Sequence, residues 1–222
     1  MNVSVSAAQG QAKSELVRIA TDSVQVEGML ELPADAAGVV LFAHGSGSSR
    51  LSPRNNYVAS VLRGAKIGTL LMDLLTPQED QDYRTRFDIS LLTHRLLDAV
   101  NWLRQYEPTH SLPIGLFGAS TGAAAALQVA AIAGSGIKAV VSRGGRPDLA
   151  GKEMLEKVTA PTLLIVGGLD DVVIELNRAA YDALKCEKQL VIVPGATHLF
   201  EEPGTLEAVA HLARDWFAKH LI

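Results

Sequence analysis

The feature that most constrains this chain is a repeated alternation from residue 39 to the C-terminus. Apolar runs of strand length, at 39–43, 67–72, 112–117, 137–142, 161–166 and 189–193, are separated by stretches with helical spacing. Consecutive apolar positions suit strands buried on both faces. Between the runs, Tyr57, Val58, Val61 and Leu62 share one helical stripe, Leu92, Leu96, Val100 and Leu103 a second, and Leu206, Val209, Ala213, Trp216 and Phe217 a third. Residues 123–133 and 174–184 predict two more helices. Such alternation predicts the α/β class: a mostly parallel sheet with helices on both faces. Ahead of it, residues 15–20 and 24–32 flank Thr21, Asp22 and Ser23 as an opening antiparallel hairpin.

At 222 residues the chain is expected to form one domain, with 1–13 as a loose lead-in that lacks the basic start and apolar core of a signal peptide. A net charge of −4 and no Lys/Arg cluster give no reason to expect a nucleic-acid partner. No apolar stretch reaches the roughly 18 to 20 residues that span a bilayer, so no membrane partner is expected and a cytoplasmic location is the default. Cys186, the one cysteine, excludes an intramolecular disulfide and a cysteine-based metal cluster. Composition leaves the oligomeric state open.

Gly118-Ala119-Ser120-Thr121-Gly122 breaks the 112–117 run and leads into the Ala-rich helix. A strand, a sharp turn and a helix would hold Ser120 exposed as a nucleophile, with Gly118 and Gly122 removing side chains that would clash with neighbouring backbone. The pentapeptide alone arises by chance in about one in ten chains of this length, so its context decides. A serine hydroxyl needs a neutral imidazole to take its proton and a carboxylate to orient that imidazole. Asp170 or Asp171 and then His198 follow Ser120, each in the loop after a predicted strand, and such loops gather at one edge of a parallel sheet. Asp170 is favoured over Asp171, because Gly167-Gly168-Leu169-Asp170 with Val173 resembles a Gly-x-x-Asp-x-x-Val acid turn. His94, His110, His211 and His220 fall on or beside helices and read as surface or edge residues.

An attacked acyl carbonyl becomes an oxyanion, for which the backbone N–H groups of Thr121 and Ser46 are the expected donors. His44, beside Ser46, reads as structural. Arg50, Arg143 and Arg146, with Arg54 nearby, lie in or near strand-end loops where a guanidinium could hold a substrate carboxylate or phosphate. Glu201 and Glu202 suit the N-terminus of the last helix. Residues 74–88 predict a long loop at the same edge. The phosphate-loop and dinucleotide fingerprints are absent, so no nucleotide cofactor is expected.

Taken together, His44-Gly45-Ser46-Gly47, the Ser120 pentapeptide, the Gly167 to Asp170 turn and Gly195-Ala196-Thr197-His198 resemble the α/β-hydrolase superfamily, particularly its small dienelactone-hydrolase-like branch. The resemblance implies an eight-stranded, mostly parallel sheet, a Ser120, Asp170 and His198 triad, no metal, and hydrolysis of a small ester or lactone through an acyl-enzyme. True dienelactone hydrolases carry cysteine where this chain has Ser120, which favours a serine esterase. The short segment before residue 161 leaves little chain for a cap. Thioesterase or acyltransferase chemistry on the same residues, or a non-catalytic binding module, are the alternatives.

Overall fold

The structure, a computed structural model, describes residues 12–22 and 24–222. The expected hairpin forms as β1 (Lys13–Thr21) and β2 (Val24–Leu32), paired antiparallel from Lys13 opposite Leu32 to Thr21 opposite Val24. Residues 1–11 of the expected lead-in and Ser23 of the hairpin turn lie outside the described residues, and Lys13, counted with the lead-in, opens β1. The alternating part follows as β3 (Gly38–Ala43), α1 (Pro53–Gly64), β4 (Ile67–Met72), α2 (Ile89–Gln105), β5 (Ile114–Ala119), α3 (Thr121–Ala133), β6 (Ala139–Arg143), α4 (Lys152–Leu155), β7 (Thr162–Gly167), α5 (Asp171–Ala183), β8 (Lys188–Val193) and α6 (Thr205–Leu221).

The strands form one eight-stranded sheet in the order β1-β2-β4-β3-β5-β6-β7-β8. β2 meets β4 antiparallel, whereas every pair from β4 to β8 is parallel. This is the eight-stranded, mostly parallel α/β-hydrolase sheet. Side chains on a strand alternate between faces, and the core divides accordingly. Val39, Leu41 and Leu116 face one apolar layer with Leu96 of α2 and the alanines of α3, while Val40, Phe42 and Phe117 face the other with Leu62 of α1 and Phe217 of α6. Burial on both sides explains why these strands read as unbroken apolar runs.

The expected loop at 74–88 contains two short 3-10 turns, Glu79–Gln81 and Thr85–Phe87. Arg95 holds it from α2 through Glu79 at 2.8 Å. Asp88 then caps α2 by accepting from the Leu91 N–H at 3.0 Å. The segment between β6 and β7 also carries more structure than its sequence suggests. A 3-10 turn (Pro147–Ala150) and the one-turn α4 pack on α3 and α5 rather than over the strand ends.

Candidate active site

β5 passes directly into α3, and Ser120 is the single residue between them. It takes φ 50° and ψ −120°, a conformation that costs a non-glycine residue roughly 1–3 kcal/mol. Neighbouring backbone fixes it there. The Ser120 N–H donates to the Arg143 carbonyl at 3.2 Å, and the Ser120 carbonyl accepts from Ala123 and Arg146 at 3.1 and 3.0 Å. The flanking glycines are sterically required: a Cβ on Gly118 would lie 2.4 Å from the Ala123 Cα, and one on Gly122 would lie 2.3 Å from the Ala43 carbonyl oxygen.

The loops after β7 and β8 are pressed together as closely. A Cβ on Gly167 would meet the Ala196 and Thr197 carbonyl oxygens at 2.5 Å. That contact brings Asp170, which precedes α5, to the His198 ring, where Nδ1 donates to Asp170 Oδ2 at 2.6 Å. With its Nδ1 proton committed to the carboxylate, the imidazole keeps Nε2 free as a base. Asp171 is the first residue of α5 and is exposed, so these two acids separate cleanly. Behind the ring, Glu202 accepts from the Thr197 N–H at 3.0 Å and from its hydroxyl at 2.6 Å, tying down the loop that carries His198. The Glu202 carboxylate thus holds this loop, while its carbonyl accepts from the N–H and hydroxyl of Thr205, the first residue of α6, at 3.1 and 2.7 Å.

Ser120 and His198 border a common cleft of about 200 Å³, together with Ser46, Ser48, Ser52, Arg54 and Arg143. Among the described residues no hydrogen bond joins the Ser120 hydroxyl to His198; such bonds often tighten only when substrate binds. Ser46 and Thr121 also share a small void with His44 and Gly47, and neither amide has a backbone acceptor among the described residues. His44 is buried, and its Nε2 accepts from the Leu74 N–H at 2.9 Å, which binds the β3 loop to the β4 loop. Burial pulls the His44 pKa below its ordinary value, so it is neutral at pH 7. A larger groove, about 520 Å³ between α4 and α5, contains none of these residues.

Comparison with known proteins places the fold. Residues 70–220 match the model of the dienelactone hydrolase family. The crystal structure of a dienelactone hydrolase from Anabaena variabilis is 53% identical, covers 96% of this chain and all of its own, and superposes with a TM-score of 0.92. The chain belongs to the dienelactone hydrolase family. Est1E from Butyrivibrio proteoclasticus, 17% identical with a TM-score of 0.79 over 92% of this chain and 98% of its own, shares the fold. Two Mycobacterium tuberculosis proteins described as candidate phosphoribosyl transferases are 57% identical over 97% of this chain. The chain spans about half the length of these curated relatives, 48%.

Within this family frame, the structure separates the arginines that the sequence groups together. Arg50 turns away from the cleft: its guanidinium binds Asp73 and, at 2.7 Å, Glu27, and its N–H donates to Asp73 at 2.7 Å. Arg146 is taken by the Asp148 carboxylate two residues on, through Nε at 2.9 Å and Nη2 at 2.8 Å. Neither is among the residues lining the cleft, and each is paired with an acid within the chain. Arg143 does reach the cleft, as the last residue of β6 rather than a loop residue. Arg54 joins it from the first turn of α1. Ser48 and Ser52 were not singled out in the sequence, although Ser52 followed by Pro53 is a recognisable helix start. No group of three His, Cys, Asp or Glu side chains among the described residues is placed to hold a metal. No helix there is long and apolar enough to cross a membrane. Cys186 is half-buried beside Thr162, and burial pushes its thiol pKa up.

Proposed function

We propose that this member of the dienelactone hydrolase family is a serine hydrolase that cleaves a small carboxylic ester or lactone through an acyl-enzyme. The observation that carries the reading is the strained turn that projects Ser120 into the same cleft as a histidine already paired to Asp170. In this mechanism Ser120 Oγ attacks the acyl carbon while its proton passes to His198 Nε2. The Thr121 and Ser46 N–H groups receive the developing oxyanion. The ester C–O bond then breaks, and His198 hands its proton to the departing alcohol. Water attacks the acyl-enzyme, giving its proton to His198, and Ser120 regains a proton as the acid leaves. Asp170 keeps its hydrogen bond to Nδ1 throughout and steadies the imidazolium. The name carried by the Mycobacterium tuberculosis relatives describes proteins twice as long, and the chemistry proposed here concerns the half that this chain matches. Ser120→Ala is expected to lower turnover of short aryl esters by about 10³-fold or more, measured as kcat/KM on purified protein; unchanged turnover contradicts the reading.

A further inference from the structure

Among the described residues, Arg50, Arg54, Arg86 and Arg146 at the strand ends each pair with an acid, and Arg143 does not. Arg143 is 8% exposed, yet its Nε and Nη1 have no hydrogen-bond partner among the described residues. Nη2 reaches only the neutral Asn55 side chain, at 3.5 Å. Burial, and secondarily the charge of Arg54, lowers the Arg143 pKa to about 10, which leaves it a cation at neutral pH. A buried cation without an acid carries a desolvation cost of several kcal/mol, which the Phe200 ring, 5.9 Å from the guanidinium carbon, and the long Asn55 contact offset only in part. Arg54 adds a second cation; its Nε is likewise buried and unpartnered, and its pairing with Glu201 at 3.0 Å involves a carboxylate that is 63% exposed.

Arg143 and Arg54, close enough for their charges to interact, line the wall of the cleft beside Ser120 together with Ser48 and Ser52. The Ser52 oxygen accepts from the Asn55 N–H at 3.3 Å, so its own proton is free to donate. We infer that this wall binds a phosphate group carried by the substrate, with Arg143 and Arg54 as its charged donors. A carboxylate offers two oxygens and one charge, whereas a phosphate monoester offers three oxygens and close to two charges. Two cations and two hydroxyls in a single cleft match the phosphate. The inference rests on the cleft being the substrate site and narrows the substrate class to small esters that bear a phosphate.

Inorganic phosphate is the probe, followed by calorimetric titration of the purified protein and as an inhibitor of a neutral aryl ester, both at constant ionic strength. Phosphate is expected to bind, to inhibit competitively, and to outcompete acetate. Arg143→Met and Arg54→Met are each expected to weaken it by about tenfold or more, and Arg50→Met to leave it unchanged. Arg143→Lys, which keeps the charge should the methionine variant fail to fold, is expected to retain weakened binding. Absence of binding, equal affinity for acetate, or undiminished affinity in Arg54→Met and Arg143→Lys overturns the inference. Because titration needs no turnover, phosphate binding without Ser120-dependent hydrolysis would leave the anion site standing and remove the esterase reading; hydrolysis without phosphate binding would do the reverse.

Discussion

Two charged regions flank the Ser120 turn, and they are finished differently. On the β2 and β4 side, the charges close on one another: Arg50 on Asp73 and Glu27, Arg86 on Asp80, and Arg95 on Glu79. On the β6 side, beside a cleft, Arg143 has no acid and the buried Arg54 Nε has no hydrogen-bond partner among the described residues. Where a guanidinium already has its carboxylate, its role is to hold loops in place. Where a buried one has none, only a ring and an amide face it within the chain, and room is left for an anion from outside.

The largest expected effect sharpens which acid belongs to the open region. Asp170→Asn should lower ester turnover on the order of 10³- to 10⁴-fold, because it leaves the imidazole without its orienting charge. Asp171→Asn should leave turnover unchanged, as kcat/KM measurements on both variants would show. Equal losses would erase the distinction drawn from the Asp170 to His198 bond.

The next effect would break the comparison itself. Arg50→Met strands Asp73 and Glu27 and should destabilise the fold by about 1–3 kcal/mol. Arg143→Met removes a buried cation that has no acid, and stability should hold or rise. Denaturant unfolding of the two variants compares them directly. If Arg143→Met costs as much as Arg50→Met, the two regions are not different in kind.

The smallest effect lies at their boundary, where His44 lines one void with Ser46 and another with Asp73. Its folded-state pKa is depressed by burial, so an acidifying solution protonates His44 in the unfolded chain first. Its contribution to stability is therefore present above the unfolded pKa near 6.5 and is lost as pH falls below it, with a slope of up to about 1.4 kcal/mol per pH unit. His44→Gln, whose amide oxygen can still accept from Leu74, should flatten unfolding free energy below about pH 6.5 relative to the parent. An unchanged slope would show that His44 does not set it.

Local rules made Ser120 legible in the sequence. Its turn depends on Gly118 and Gly122, whose absent side chains are dictated by backbone only a few residues away or on the adjacent strand. His198 and its acid were legible as a pattern of strand ends, and the choice of Asp170 over Asp171 follows from the close packing of Gly167 against Ala196 and Thr197. The arginines were not separable in this way. Arg50 and its two acids are each 23 residues apart and meet only through the sheet, while the local Arg146 to Asp148 pair was open to reading and passed over. α4 is too short to show periodicity. Glu202 was legible as a neighbour of the α6 N-terminus, but not its carboxylate's bonds to Thr197, which depend on how the loop folds back.

The central claim is that Ser120 is the nucleophile in this cleft. Incubation with a fluorophosphonate probe, followed by intact-mass and peptide mass spectrometry, tests it most directly. One adduct on Ser120, lost in Ser120→Ala and slowed in His198→Ala, is the expected result. No adduct, or one at another residue with Ser120 unmodified, would contradict the account.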